Sequence, residues 1–272
     1  MTARVGLTGW PLGHSVSPAM HNAAFETLGL DWRYDPLPCP PADLAACIEG
    51  WLADGLRGFN VTIPHKAAVL RLPQVSEVSP DCEAIGAANT FTRLPDGSLR
   101  ATNTDWQGFL ADLAAHGIEA AGARCLLLGT GGSAQAVAYG LRQAGAERVT
   151  FVSRQPAGRA GVVGYGALRG MAADLVVNCT PVGMHPHPDT SPWPEDVPLP
   201  PDAAVVDLIY NPPETRLLAR ARAAGQPALG GLGMLVRQGA LSFEQWTGIA
   251  PPLDVMFTAA REALAAFNRT GN

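Results

Sequence analysis

Two rhythms of apolar and polar residues alternate along this chain. Apolar runs of about four to six residues read as buried strands, and apolar residues spaced three or four apart read as one face of a helix. The first run is Val5–Gly9; a polar loop follows, and Ser17-Pro18 predicts a helix with Ser17 as N-cap and Pro18 in its first turn. Arg57–Val61 reads as a strand, and Pro64 as the opening of another helix. Ala87–Arg93 and Ser98–Thr102 flank Pro95-Asp96-Gly97, a turn joining two strands. Trp106, Phe109, Leu110 and Leu113 give Asp105–His116 a helical stripe. A second series starts at Arg124. It predicts strands at Cys125–Leu128, Arg148–Val152, Asp174–Cys179 and Ala203–Ile209, with helices at Ser133–Ala144 and Glu214–Ala224. Helices around Leu232–Trp246 and Asp254–Asn268 close the chain. The alternation implies an α/β architecture with parallel strands. The expected division is a first domain at 1–104, a nucleotide-type domain at 105–236, and a C-terminal return to the first domain at 237–272.

Composition narrows the classes. The 272 residues are enough for one large domain or two smaller ones. The 30 glycines and 24 prolines follow no period, which excludes collagen, and 47% hydrophobic residues argue against disorder. A formal charge of −5 offers no basic stripe for nucleic acid. No apolar run approaches the ~18 residues of a membrane span. Met1-Thr2-Ala3-Arg4 leads into a strand pattern rather than a signal-peptide core, so a cytoplasmic location is expected. The five cysteines, Cys39, Cys47, Cys82, Cys125 and Cys179, form no CxxC pair and fit reduced thiols, with Cys125 and Cys179 in apolar strand patterns. No metal site is expected, and His185-Pro186-His187 reads as a solvated loop.

One count changes the picture. The 19 basic residues are 18 arginines and a single lysine, Lys66. A GC-rich genome replaces Lys by Arg wherever charge alone matters. A surviving Lys then marks a place where Arg does not serve, because Lys can lose its proton and Arg effectively cannot. Lys66 is the first candidate for chemistry.

Gly129-Thr130-Gly131-Gly132-Ser133-Ala134 fits G-x-G-x-x-A directly after a strand and before a helix. In this pattern the first Gly makes a tight turn, the second lets the backbone approach a pyrophosphate, and the small third residue lets helix and strand pack closely. Amides at the helix start then face the phosphates. The next strand ends at Ser153-Arg154, with no Asp or Glu to hold a ribose 2′-hydroxyl. Arg154 and Arg159 suit a 2′-phosphate instead, which favours NADP over NAD.

Three segments of the first domain are dense in small polar groups: Gly13-His14-Ser15-Val16-Ser17-Pro18, Asn60-Val61-Thr62-Ile63-Pro64-His65-Lys66, and Gly86-Ala87-Ala88-Asn89-Thr90 with Asn103-Thr104-Asp105. Their hydroxyls, amides, lysine and aspartate suit a polyhydroxylated carboxylate. With GTGGSA, NCTPVGM, DLIYNP and GLGMLVRQ they occur in the order and at the spacings of one family, and the chain resembles shikimate dehydrogenase from residue 9 to residue 238. The resemblance implies an N-terminal α/β substrate domain and a Rossmann-type, doubly wound NADP-binding domain. It implies reversible NADPH-dependent reduction of 3-dehydroshikimate to shikimate, a step toward chorismate and the aromatic amino acids, by a monomer or homodimer. By matching position, Ser15 and Ser17 would hold the substrate carboxylate. Thr62, Asn89, Asp105, Tyr210 and Gln238 would contact groups around the ring, and Lys66 and Asp105 would be the catalytic pair. Gly129, Thr130, Gly131, Gly132 and Ser133 would cradle the pyrophosphate. Ser153, Arg154 and Arg159 would meet the ribose phosphate, and Leu208 and Gly231 would lie on the nicotinamide side.

Two departures are visible. Ser153-Arg154-Gln155 stands where the family commonly has Asn-Arg-Thr, with Arg159 one residue later than the common spacing. Pro80, beside Asp81, stands where the family often has an acidic residue. Other readings stay open at this level. One is a catabolic quinate/shikimate dehydrogenase, which the missing acid after Val152 opposes. Another is a non-catalytic NADP-binding regulatory protein, which predicts damage at Lys66 or Asp105, and both are intact.

Overall fold

A computed structural model describes residues 2–13 and 15–270, so Met1 and His14 of the first polar segment lie outside the described residues. The chain forms two compact units. One takes everything up to Gly108 and everything from Val236 onward; the other is Phe109–Leu235.

The first unit is built on a six-stranded sheet. Its elements are β1 (Ala3–Gly9), α1 (Ser17–Thr27), β2 (Trp32–Pro38), α2 (Leu44–Ala53), β3 (Gly58–Val61), β4 (Val75–Val78), α3 (Pro80–Ile85), β5 (Thr90–Arg93) and β6 (Leu99–Thr102). The spatial order is β2-β1-β3-β5-β6-β4. β1 runs parallel to β2 and β3, whereas β5 is antiparallel to both β3 and β6, so the sheet is mixed. The turn at Pro95–Gly97 joins β5 to β6 as expected, with the Gly97 amide bonded to the Leu94 carbonyl. β2 contains Pro36 and Pro38, which a strand tolerates at an edge, and it pairs only with β1.

Strand alternation sends Phe59 and Val61 into one core with Ile48, Leu52, Phe91 and Leu99. Asn60, between them, faces the other side. That side is covered by α1 and by the last two helices, α7 (Leu232–Thr247) and α8 (Leu253–Thr270), with α8 packed on α1. The Phe25 and Phe243 rings stack there at 4.7 Å, and the Trp246 indole donates to the Phe91 carbonyl at 2.9 Å.

The second unit is also built on a six-stranded sheet. After α4 (Asp105–Ala115) come β7 (Arg124–Leu128), α5 (Gly132–Gln143), β8 (Arg148–Ser153), β9 (Val162–Gly164), β10 (Leu175–Asn178), β11 (Ala204–Asp207), α6 (Arg216–Ala223) and β12 (Ala228–Gly230). All its strands are parallel, in the order β12-β11-β10-β7-β8-β9. That order reverses at β7, which is the doubly wound, dinucleotide-binding arrangement. Successive residues of β7 serve opposite faces. Cys125 and Leu127 pack under α4 and α5, while Leu126 and Leu128 pack with α6 and Trp193. Burial pushes the Cys125 thiol up to about 12, as befits a core side chain.

Two local expectations are corrected. The helix α1 starts at Ser17 itself, with Val16 as N-cap and no side-chain capping bond; Ser15 Oγ accepts the Ser17 amide at 3.2 Å instead. Pro64 opens no α-helix. The stretch after it is a series of turns ending in a single 3₁₀ turn at Val69–Arg71. The Lys66 carbonyl accepts the Ala88 amide at 2.9 Å, so it is directed to another segment, and Pro73 limits extension beyond Leu72.

One residue of this fold is costly. His21 is fully buried, stacked on Tyr34 at 4.3 Å and 2°, with both ring nitrogens lacking a hydrogen-bond partner among the described residues. Burial lowers its pKa from 6.5 to about 3. The unfolded chain therefore binds a proton that the folded chain refuses between those values. Stability should fall as pH drops from about 6.5 toward 3, and this group contributes no slope above that range. Replacing His21 by Phe keeps a stacking ring and removes the unpaired nitrogens. Urea titrations should show the variant stabilised by about 1 kcal/mol or more at pH 7, with a shallower acid limb.

Candidate active site

The sheet of the first unit brings the polar segments together at one end. β1 and β3 run in the same direction, so the loops after Gly9 and Val61 leave from the same edge, and the Thr62 amide bonds the Thr8 carbonyl at 2.8 Å. β5 is antiparallel and therefore begins where β3 ends; the Val61 amide donates to the Asn89 carbonyl at 2.8 Å. β6 returns to that same edge, because Thr102 lies opposite Thr90. Asn103 then donates to the Ala87 carbonyl at 2.8 Å, and its own side-chain oxygen accepts the Asp105 amide at 3.0 Å, which sets the start of α4.

At this edge Lys66 Nζ donates to Asp105 Oδ2 at 2.6 Å, with side chains only 14% and 7% exposed. The other carboxylate oxygen is also engaged: Asn89 Nδ2 lies 2.8 Å from Asp105 Oδ1 and 2.9 Å from Gln238 Oε1. Asn89 Oδ1 accepts the Thr104 amide at 2.8 Å, which orients the amide with its NH₂ toward Asp105. Lys66, Asn89, Asp105 and Gln238, four of the expected residues, thus form one connected group. Ser15 and Ser17 stand on the loop and first turn after β1, and Thr62 follows β3 with its methyl against Gly9, where any side chain on Gly9 would collide with it. Tyr210 belongs to the second unit.

The lysine anchors its own loop from both sides. Its carbonyl holds Ala88, and the neighbouring His65 is 1% exposed with Nε2 2.8 Å from the Cys39 carbonyl. Further contributors were not singled out as site residues from the sequence. Thr90, Thr104 and Ser242 are fully buried hydroxyls touching this group, and Trp106 Nε1 donates to Asp81 Oδ2 at 2.7 Å. Ser242 lies one helical turn beyond Gln238 on α7, a spacing the sequence does show, though nothing there marks it as polar-facing.

In the second unit the glycine loop follows β7. Gly129 has φ +104°, where a side chain would be strained, and it also faces Thr180 closely. Gly131, at the N-cap of α5, has open space where a side chain would point, as a cradle for an approaching anion requires. Gly132 and Ser133 form the first turn of α5. Arg159 Nη1 donates to Thr130 Oγ1 at 3.1 Å, so a guanidinium lies against this loop. Ser153 closes β8 and accepts the Gln155 amide at 3.1 Å, and Arg154 is exposed next to it. The donor set, with backbone amides, two arginines and no carboxylate at the end of β8, fits a phosphorylated dinucleotide.

At the ends of β10 and β11 a buried carboxylate ties the loops. Asp207 accepts from Asn178 Nδ2 at 2.9 Å, the Ile209 amide at 3.0 Å and Thr215 Oγ1 at 2.7 Å. Burial pushes its carboxyl up to about 6 against those three donors. Leu208 follows it, and the Gly231 amide bonds the Ile209 carbonyl at 3.0 Å. No helix among the described residues is long and apolar enough to cross a membrane.

The chain is similar to known proteins over nearly all of its length. The family described as "Shikimate dehydrogenase substrate binding domain" matches residues 7–91, and "Shikimate 5'-dehydrogenase C-terminal domain" matches residues 231–261. A "Shikimate dehydrogenase (NADP(+))" from Methanothermobacter thermautotrophicus is 41% identical, over 95% of this chain and 96% of its own. One of the same description from Citrifermentans bemidjiense is 44% identical, over 97% and 95%. The crystal structure of shikimate 5-dehydrogenase from Thermus thermophilus in complex with NADP(H) and shikimate superposes with a TM-score of 0.87. That protein is 40% identical, over 96% of this chain and 99% of its own.

Gly231 is buried, and a Cβ there would run into the Leu208 carbonyl, which is backbone and cannot swing away. Gly231→Ala should therefore destabilise the protein by about 1–3 kcal/mol, seen as a lowered thermal midpoint. An unchanged midpoint would show that the loops at Leu208 and Gly231 pack differently.

Proposed function

The chain belongs to the shikimate dehydrogenase family, and from that premise we propose how its own residues carry the NADPH-dependent reduction of 3-dehydroshikimate to shikimate. Bound NADPH supplies the hydride that reduces the ketone carbon. Negative charge then develops on the substrate oxygen. A protonated Lys66 stabilises that charge and delivers a proton to it; in the reverse direction the neutral amine accepts one. Asp105 holds the ammonium in place and hydrogen-bonds a neighbouring hydroxyl of the substrate. Asn89 and Gln238 hold ring hydroxyls, and Ser15 and Ser17 hold the carboxylate with Thr62 nearby. Tyr210 contributes from the loop after β11. The observation that carries this reading is the shielded Lys66–Asp105 pair at 2.6 Å, made by the only lysine in the chain.

On the cofactor side, the amides of Gly129, Thr130, Gly131, Gly132 and Ser133 cradle the pyrophosphate. Ser153, Arg154 and Arg159 hold the 2′-phosphate, and Leu208 and Gly231 border the nicotinamide. The excess of acidic over basic side chains supports small-molecule partners and no nucleic acid.

Two variants test the roles. Lys66→Arg keeps the charge but not the removable proton or the compact shape. Its kcat for shikimate oxidation should fall by about 10²-fold or more, and near-normal turnover would remove Lys66 from the chemistry. Arg154→Ala should reduce the preference in kcat/KM for NADPH over NADH by on the order of 10-fold. An unchanged ratio would leave selection to Arg159 and the loop. Pairing shikimate or quinate with NADP or NAD in the same assay separates the biosynthetic enzyme from the catabolic alternative.

A further inference from the structure

Behind Asn89 lies a buried chain of polar side chains. Tyr34 Oη is 2.9 Å from Asn60 Oδ1. Asn60 Nδ2 is 3.1 Å from the Asn89 carbonyl, 3.0 Å from Thr90 Oγ1 and 2.9 Å from Ser242 Oγ. Ser242 Oγ is 2.8 Å from Thr90 Oγ1, and Thr90 Oγ1 is 3.0 Å from Asn89 Oδ1. Tyr34, Thr90 and Ser242 are at most 1% exposed and Asn60 is 5% exposed.

Valence sets the direction of the links that run from Tyr34 through Asn60 and Thr90 to Asn89. The Asn89 carbonyl accepts and cannot donate, so the group of Asn60 facing it is the NH₂. The Asn60 oxygen is then on the other side, and the Tyr34 hydroxyl donates to it. Thr90 accepts from Asn60. Asn89 Oδ1 already accepts the Thr104 amide and has no proton to give, so the Thr90 hydroxyl donates to it. Ser242 Oγ lies 2.8 Å from Thr90 Oγ1 and donates to the Gln238 carbonyl at 3.1 Å. Asn89 Oδ1 thus faces the Thr104 amide at 2.8 Å, the Thr90 hydroxyl at 3.0 Å and the Thr104 hydroxyl at 3.2 Å. The Asn89 NH₂ faces the Asp105 carboxylate, which is in turn the acceptor of Lys66. The links from Tyr34 through Asn60, Thr90 and Asn89 point toward Asp105.

We propose that Thr90 is a positioning residue for the reaction, its hydroxyl transmitting the donor order of Asn60 to Asn89 and so fixing the NH₂ that holds Asp105 beside Lys66. The proposal rests on the dehydrogenase reading above and assigns Thr90 no contact with substrate or cofactor. Its side-chain volume does not explain the role: Val would fill the same space in a strand, but it can neither accept from Asn60 nor donate to Asn89.

The test compares Thr90→Val, which is isosteric and lacks the hydroxyl, with Thr90→Ser, which keeps the hydroxyl and loses a methyl. Steady-state oxidation of shikimate with NADP is measured for wild type and both variants, with circular dichroism and the thermal midpoint as folding controls. The expected result is a kcat about 10-fold lower for Thr90→Val, an unchanged KM for NADP, and Thr90→Ser within about threefold of wild type. Tyr34→Phe, which breaks the first link and leaves Thr90 in place, should lower kcat less than Thr90→Val does. A Thr90→Val enzyme within threefold of wild type overturns the proposal. So does equal damage in Thr90→Ser, which would assign the effect to packing, and so does a loss of activity that merely follows a loss of folded protein. A wild-type protein without activity on shikimate would instead be a failure of the dehydrogenase reading.

Discussion

A lysine and an aspartate sit 2.6 Å apart with little access to water, and the first unit is arranged around keeping that pair satisfied. Taking two charges out of water costs several kcal/mol per ion, and mutual attraction compensates only when the remaining lone pairs find donors. The structure supplies one from Asn89, whose amide is in turn oriented by the Thr104 main chain. Asn103 ties the Asp105 amide, and Ala88 ties the Lys66 carbonyl. The absence of an α-helix after Pro64 belongs to the same arrangement, since a helical Lys66 would spend its carbonyl within its own segment. A reaction that moves charge onto a carbonyl oxygen needs such a site, in which the cation is held before the substrate arrives.

The second unit meets a different constraint with mostly backbone. A pyrophosphate can be held by main-chain amides only where side chains are absent, so the turn after β7 is glycine at the strained position and glycine again where space is left open. At the end of β8 stands Arg154, where a site for an unphosphorylated ribose would carry a carboxylate. The loops after β10 and β11 are held by Asp207, a buried carboxylate with three donors. Both units therefore place an acceptor at the root of their polar loops, but the second one lacks a cationic partner for it among these bonds.

Much of this was legible from residue order. The glycine loop, the hairpin at Pro95–Gly97 and the strands β7, β8, β10 and β11 follow from local rules, because turn residues and period-two or period-four spacing act within a few positions. The lone lysine pointed to its own position before any motif did. Less legible were β2, with two prolines inside it, and the short strands β4, β9 and β12, whose pairing depends on neighbours far along the chain. Ser17-Pro18 has the pattern of a capped helix start, yet it is Ser15, two residues earlier, whose hydroxyl accepts the Ser17 amide. His21 reads as an ordinary polar residue of a helix, and its burial between aromatic rings has no local signal.

The sequence by itself determined which groups this protein carries: a single lysine at position 66, a carboxylate at Asp105, amides and hydroxyls in recognisable order, and a glycine loop with arginines after it. Only the tertiary structure decided which of these groups meet, and in what donor order. Asn89, Asp105, Gln238 and Lys66 are brought together because three strands end or begin at one edge of a mixed sheet and α7 returns to it. Thr90 and Ser242 acquire partners only there. The physical reason is that hydrogen bonds among buried side chains depend on angles and distances within a few tenths of an ångström, set by strand register and helix packing, and neither is written in any local pattern of residues.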